Sequence, residues 1–244
     1  MNDHAAPQAA GGDLAALQTR IGHVFADPSL LLRALTHVSA LPAAPAQRRV
    51  DSYQRLEFLG DRVLGLAVST MIYEAFPAAE EGELSRRLAD LVRKETCADV
   101  ARDWQVAAVL QLGEGEAQTG GAQKAAILGD ICESLLGAIF LDAGYAKAET
   151  VVRRFFGDKM LNPGRPLRDP KTALQEWAQA RGLPAPVYRQ SDRSGPDHAP
   201  LFTMEVCVNT FEPVVAEGAS KRLAEQASAH KFLQREGVAE SENE

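Results

Sequence analysis

Four acidic residues stand in two pairs at helical spacing. Glu57 and Asp61 are four residues apart within Arg55-Leu56-Glu57-Phe58-Leu59-Gly60-Asp61, and Asp130 and Glu133 are three apart in a second apolar stretch. On a helix each pair shares one face. Taken singly, such a pair reads as a solvated helix edge, because charged side chains are mostly exposed. Here both pairs lie in strongly apolar segments, where neighbouring like charges are costly unless something positive stands between them. If the two helices pack side by side, four carboxylates converge, and without a cation they could not all ionise. A hard divalent ion, Mg²⁺ or Mn²⁺, accepts such oxygen ligands and leaves positions for water and a phosphate oxygen. That centre suits phosphodiester hydrolysis, in which the metal polarises the phosphoryl oxygen, generates hydroxide and steadies the leaving 3′ oxygen. No Ser/His/Asp or Cys/His arrangement competes with it. His37 has no second His or Cys nearby and reads as a hydrogen-bonded structural group.

The elements that must position these acids are legible from periodicity. The first pair opens a helix expected over Tyr53–Phe76, ended by Pro77, with Leu56, Leu59, Val63 and Ala67 as its apolar stripe. The second pair lies in Ala125–Leu141, with Ile127, Ile131, Leu135 and Ala138 facing a core, and Gly129 and Gly137 open to a close neighbour. Around them, Leu14–Ile21 reads as a short helix, and Asp27-Pro28 as an N-cap followed by proline at the first helical position. A helix with Leu84, Leu88, Leu91 and Val92 carries Arg86, Arg87, Arg93 and Lys94 and continues through Thr96–Trp104, and a last one covers Ala146–Met160. Leu112–Glu116 and Gly120-Gly121 read as glycine turns that lack the features of a phosphate-cradling loop. Ala40–Asp51, with Pro42, Pro45, Arg48 and Arg49, reads as a loop.

After residue 160 the composition changes. A linker over 161–167 leads to a helix started by Asp169-Pro170 and ended at Gly182. The period then becomes two: Phe202, Met204, Val206 and Val208 alternate with polar residues, flanked by expected strands at Pro186–Asp192 and Val214–Ala219. Ser220 caps a final helix to about Gln234. Links this short join only antiparallel strands, so both helices cover one face of the sheet. The fold class is therefore an all-α domain at 13–160 followed by a small α+β domain at 168–237 in the order α-β-β-β-α. Residues 1–12 read as a disordered N-terminus and 238–244 as an acidic tail.

The 244 residues are 45% hydrophobic and 24% charged, which is ordinary for a soluble globular chain. No apolar run reaches a membrane span and no secretory leader opens the chain, so the expected compartment is the cytoplasm. The three cysteines, Cys97, Cys132 and Cys207, have no ligand spacing and read as reduced packing residues. The net charge of -7 does not point to nucleic acid, but its distribution does not exclude it. Residues 1–167 hold 17 basic and 21 acidic residues, 168–236 hold 9 of each, and the last eight hold three glutamates and no base.

The run Arg55–Asp61 resembles the signature of the ribonuclease III family. The Asp130/Glu133 helix resembles that family's other metal-binding segment, Ala34–Ser39 its N-terminal helix end, and residues 168–237 a double-stranded-RNA-binding domain. The resemblance covers about residues 13 to 236. It implies a homodimeric, Mg²⁺-dependent endonuclease of double-stranded RNA that leaves 5′-phosphate and 3′-hydroxyl ends with a short 3′ overhang. Processing of ribosomal RNA precursors, messenger RNA and transfer RNA follows from it as an expectation. It makes Glu57, Asp130 and Glu133 metal ligands, with Asp61 holding a metal-bound water and Glu133 bridging ligand and chemistry. Glu81 and Glu116 match outer acidic positions. Gln54 stands where many members carry an acid, which puts an outer contact in doubt. Phe58 matches the ring that plugs into a partner subunit; from the residue alone, core packing is the other reading. In the second domain the resemblance gives Gln175 and Glu176 to one minor groove, His198 to the next, and Lys221 and Arg222 to the phosphates between. Glu225 stands where some such domains have Lys, so one phosphate contact is expected to be missing. Two other readings of the residues stay open. One is a non-catalytic RNA-binding protein of the same fold, which would have no need of all four acids. The other is a helical Mg²⁺ enzyme of diphosphates, which leaves the second domain unexplained.

Overall fold

The computed structural model describes residues 13–41, 51–163 and 168–238. The expected disorder of 1–12, most of the Ala40–Asp51 loop, the linker at 164–167 and the acidic tail from 239 onward lie outside the described residues. The chain forms two compact units, divided after Pro163.

The first unit is helical: α1 (Leu14–Ile21), α2 (Pro28–Ala34), α3 (Gln54–Ala75), α4 (Glu81–Leu91), α5 (Lys94–Asp103), α6 (Glu114–Gln118), α7 (Ala125–Ala143) and α8 (Tyr145–Leu161), with short 3₁₀ turns between. Local chemistry sets the ends. Asp13 Oδ1 accepts the Ala16 N–H at 3.0 Å, and Asp27 Oδ1 accepts that of Ser29 at 2.9 Å just before Pro28. Helix α7 is buried along almost its whole circumference, from Ile131 to Ile139 without interruption. A helix apolar all round belongs at the centre, and α2, α3, α5 and α8 pack against this one.

The contact between α3 and α7 is unusually close because glycines meet there. A Cβ built on Gly60 would lie 1.7 Å from the Glu133 carbonyl oxygen, and one on Gly137 would lie 2.3 Å from that of Leu56. The two backbones touch where the acid pairs leave their helices. Gly137 was expected to admit a neighbour; Gly60 carries as much of the approach.

Two expectations change. The helix through Leu84–Leu91 does not continue into Thr96–Trp104. It closes at Val92, and Arg93 is extended at φ -67°, ψ 153° before α5 begins at Lys94. The Thr96 hydroxyl donates to the Asp90 carbonyl at 3.0 Å, which satisfies a group the ended helix leaves open. The glycine stretch after Leu112 is not only turn: Gly113 lies against the Ser39 backbone, and Glu114–Gln118 coil into α6.

The second unit holds α9 (Pro170–Ala180), β1 (Val187–Ser194), β2 (Leu201–Cys207), β3 (Val214–Gly218) and α10 (Lys221–Arg235). The sheet is antiparallel in the order β1-β2-β3. Helix α10 packs on β2 and β3, and α9 packs on α10. Trp177, Phe211 and Phe232 meet edge to face at centroid distances of 5.5, 5.5 and 5.8 Å and centre this core. Strand β1 runs past the expected Asp192 to Ser194, because a bulge at Ser191 lets Asp192–Ser194 pair with Thr203–Leu201. Those polar residues carry no alternation to read.

Candidate metal centre

Helix α3 presents Glu57 and Asp61 one turn apart, and α7 presents Asp130 and Glu133 from the facing side. Carboxylate oxygens of Glu57, Asp130 and Glu133 all lie within 4.8 Å of one another. Asp61 is not in that group of three. It lines the same open pocket of about 560 Å³, together with Glu57, Phe58, Val92, Arg93, Lys94 and Glu133, and its carboxylate is paired with the adjacent Arg62.

Two residues the sequence did not single out complete the site. Lys94, the first residue of α5, puts its Nζ 3.4 Å from Glu57 Oε1 and 3.2 Å from Glu133 Oε2, and against Asp130 Oδ1. Tyr53 donates its hydroxyl to Asp130 Oδ2 at 2.9 Å. Tyr53 stands four residues before Glu57, so its shared face was there to be read. Nothing local marks Lys94, because its partners lie 36 to 39 residues away.

The crowding shows in the proton affinities. Burial pushes the Glu133 carboxyl up to about 7; Lys94 pulls it down, while Asp61 and Glu57 push it further up. Burial and the Asp130 charge also raise Glu57 above the usual carboxylate range, against the pull of Lys94. Burial works against the charge on Lys94, but its hydrogen bond to Asp130 and the attraction of Glu133 outweigh it and raise its pKa. Burial and the Asp130 charge push the Tyr53 phenol up, so it stays a neutral donor. The donors facing the centre are all hard oxygens, and a cation, the Lys94 ammonium, already stands among them. This donor set fits a divalent ion of the Mg²⁺ or Mn²⁺ type.

The other predicted positions fall around and away from this centre. Glu116 is tied to Lys124 Nζ at 2.6 Å, and Lys124 together with His37 holds its carboxyl low. Glu81 is exposed and accepts the Ser85 hydroxyl at 3.0 Å; Gln54 is exposed at the start of α3. His37 is structural, as read: its Nδ1 accepts the Ser39 amide at 3.1 Å, and its ring stands 5.6 Å from that of Tyr53. Phe58 is not core packing within the chain. It is 67% exposed, on the side of α3 that also exposes Leu66 and Tyr73.

In the second unit Gln175 and Glu176 are exposed on α9, with Glu176 paired to Arg168. His198 is exposed in the β1–β2 loop. Lys221 and Arg222 are exposed in the first turn of α10, where Ser220 Oγ accepts the Leu223 N–H at 3.3 Å. Glu225 is engaged within the unit, where it pairs with Lys171 of α9, while Gln226 donates to Asp169 at 2.6 Å. The two helices are stapled just beyond the turn that carries the basic pair.

Comparison with known proteins agrees with this layout. The family model for Ribonuclease-III-like proteins matches residues 27–160, and that for the Double-stranded RNA binding motif matches 170–236. The "Ribonuclease 3" of Methylocella silvestris is 59% identical over 232 residues, covering 95% of this chain and 96% of that one. The "Ribonuclease 3" of Rhodopseudomonas palustris is 58% identical over 230 residues, or 94% and 84% of the two chains. Among solved structures, a nuclease domain of ribonuclease III from Campylobacter jejuni, described for flexibility in a region involved in its dimer formation, is similar with a TM-score of 0.55. It is 33% identical and covers 60% of this chain and 97% of that one. Two matched segments in the order nuclease then RNA-binding motif, and relatives alike over nearly the full length, establish that the chain belongs to the ribonuclease III family.

Proposed function

We propose that this protein is a divalent-metal-dependent endoribonuclease of double-stranded RNA. The observation that carries the reading is the convergence of Glu57, Asp130 and Glu133 within 4.8 Å, in the unit that matches the nuclease model. These three would hold Mg²⁺, with Mn²⁺ able to replace it. A bound ion there supplies Lewis acidity toward a phosphoryl oxygen and a nucleophile at neutral pH. Glu133, the most buried of the three, would fix the geometry, and Tyr53 would hold Asp130 in orientation. Asp61, in the same pocket, would orient the attacking water. Gln54, Glu81 and Glu116 would act only at the periphery. Cleavage would leave 5′-phosphate and 3′-hydroxyl ends with a short 3′ overhang.

In this reading residues 13–160 cut and 168–237 bind. Gln175 and Glu176, His198, and Lys221 with Arg222 would meet successive grooves of one duplex face, spanning about 16 base pairs and reading shape more than sequence. The basic pair stands at a helix N-terminus, which favours phosphate. The exposed Phe58, Leu66 and Tyr73 support a homodimer through α3, and sedimentation of residues 1–160 as a monomer at micromolar concentration would remove that part. Ribosomal RNA precursors and other structured RNAs, messenger and transfer RNA among them, are the substrates we infer, in the cytoplasm. No helix among the described residues is long and apolar enough to cross a membrane. The test is to incubate the protein with a long RNA duplex, with and without Mg²⁺, and to determine the ends. Mg²⁺-dependent cutting to 5′-phosphate ends is expected; an intact duplex at saturating Mg²⁺ would leave only an RNA-binding protein.

A further inference from the structure

The Lys94 ammonium lies where a divalent ion would have to sit. It contacts one oxygen from each of Glu57, Asp130 and Glu133, the same three carboxylates that converge within 4.8 Å. Its placement is built into the fold. The break at Arg93 restarts the chain as α5 with Lys94 at its first position. Gly129 of α7 admits the Lys94 backbone: a Cβ there would lie 2.9 Å from the Lys94 carbonyl oxygen. The lysine is thus anchored against the helix that carries Asp130 and Glu133, with its ammonium at the end of a flexible stem. The Lys94 side chain is 44% exposed and lines the open pocket, so it has somewhere to go.

Three carboxylates this close repel one another, and one of them is 5% exposed. A single ammonium offsets part of that repulsion in the metal-free chain. A divalent ion offsets more and binds the same oxygens, but the two cations repel and cannot share the point. Any metal that enters must therefore displace the lysine. A site whose binding-competent form is only a fraction of the population shows an affinity reduced by that fraction.

We propose that Lys94 is a tethered counter-cation of the acid centre: it holds Glu57, Asp130 and Glu133 together in the metal-free protein and is exchanged for the divalent ion on loading, setting the metal concentration at which the enzyme becomes competent. This rests on the metal-site reading above. Its substance is a competition, so removing the lysine must act in opposite directions on the two states. The metal-free fold loses its internal cation, and the metal meets no rival.

The test uses the full chain without RNA. Lys94→Met keeps the length and apolar stem and removes the charge; Lys94→Arg keeps the charge. Mn²⁺ binding is followed by the loss of the free-ion electron paramagnetic resonance signal, and stability by thermal melting in chelator and in Mn²⁺. For Lys94→Met we expect Mn²⁺ to bind about tenfold tighter or more, a lower melting temperature in chelator, and a larger rise on adding Mn²⁺, with Lys94→Arg close to the unmutated chain. In the unmutated protein, Mg²⁺ should make Lys94 more reactive than before to an amine-acetylating reagent, read by mass spectrometry against Lys171 as internal reference. That second measurement stands even if Lys94→Met folds only with metal. Unchanged or weaker Mn²⁺ binding by Lys94→Met, or Lys94 labelling indifferent to Mg²⁺, overturns the inference while leaving the metal site standing. If the unmutated chain binds no Mn²⁺ at all, the metal-site reading falls and this one with it.

Discussion

Glu133 is the residue on which the proposed chemistry turns. It is the most buried of the three converging acids, and it faces charge from Glu57, Asp61 and Lys94 at once. Glu133→Gln keeps its shape and removes the charge a cation needs. Cleavage should fall by at least about a hundredfold, the upper end for losing even an outer partner of a metal site. Duplex binding should persist, since in the proposed reading it rests on phosphate contacts in the other unit. Cleavage at the unmutated rate at low Mg²⁺ would disprove the assignment. Asp142 makes a stability prediction of the same kind. Its carboxylate accepts from His23 at 2.8 Å, from the Ala26 amide at 3.0 Å and from the Asp27 amide at 2.9 Å. Burial alone would raise its pKa, but the Asp27 and Ala26 amides and His23 together lower it. Asp142→Asn turns an NH₂ group toward one of these donors and should cost about 1–3 kcal/mol by urea or thermal unfolding. The sign in pH follows from the lowered folded-state value. The contribution is complete above the unfolded pKa of about 3.9 and is lost as pH falls through the folded one. The gap between the two proteins should therefore narrow below about pH 4; a gap that widens there would contradict it.

At the scale of elements, what matters is how closely α3 can approach α7. Helical periodicity aims the two acid pairs at each other, but the distance between them is set where Gly60 meets the Glu133 carbonyl and Gly137 meets that of Leu56. Gly60→Ala places a methyl inside the space of a backbone atom, and only separation of the helices relieves it. We expect a loss of about 1–3 kcal/mol or more, together with weaker metal binding, because Glu57 moves away from Asp130 and Glu133. Gly157 in α8 is the control. A Cβ there meets nothing within 4 Å, so Gly157→Ala should be neutral or stabilising by about 0.5–1 kcal/mol, the gain of alanine over glycine inside a helix. If the two substitutions cost the same, close approach is not what sets the site.

For the whole molecule the division of labour can be tested with salt. The nuclease unit is acidic and residues 168–236 carry no net charge, yet Lys221 and Arg222 stand exposed together at the start of α10. Deleting everything after Asn162 should weaken duplex binding strongly at physiological salt and leave cutting at low salt with raised Mg²⁺, where weaker screening strengthens the remaining phosphate contacts and bound cations offset the unit's own charge. Neutralising Lys221 and Arg222 in the full chain should mimic the deletion and flatten the salt dependence by about two phosphate contacts. Cleavage rate against salt for the three proteins decides it. A truncated form as active as the full chain at physiological salt would mean that the second unit is not the main anchor.

The sequence by itself determined what depends on neighbours along the chain. Glu57 with Asp61 and Asp130 with Glu133 share helix faces because spacings of three and four residues do so on any helix. Asp27, Asp169 and Ser220 cap the helices that follow them because a cap needs only the next few residues. The period of two through Phe202–Val208 declared the middle strand of the sheet. Tertiary structure decided what depends on distance. The break at Val92–Arg93 has no Gly or Pro to mark it, and it is seen only where α5 packs against α7. Tyr53 reaches Asp130 across 77 residues, and Lys171 reaches Glu225 across 54. Asp61 carries the same charge as its three neighbours, yet it stands apart with Arg62. Lys94 reads as one more solvated base, and only the meeting of α3, α5 and α7 turns it into the cation at the centre. Periodicity specifies which face of a helix is apolar; the closeness of two faces, and what lies between them, is settled by side-chain volume and charge once the helices meet.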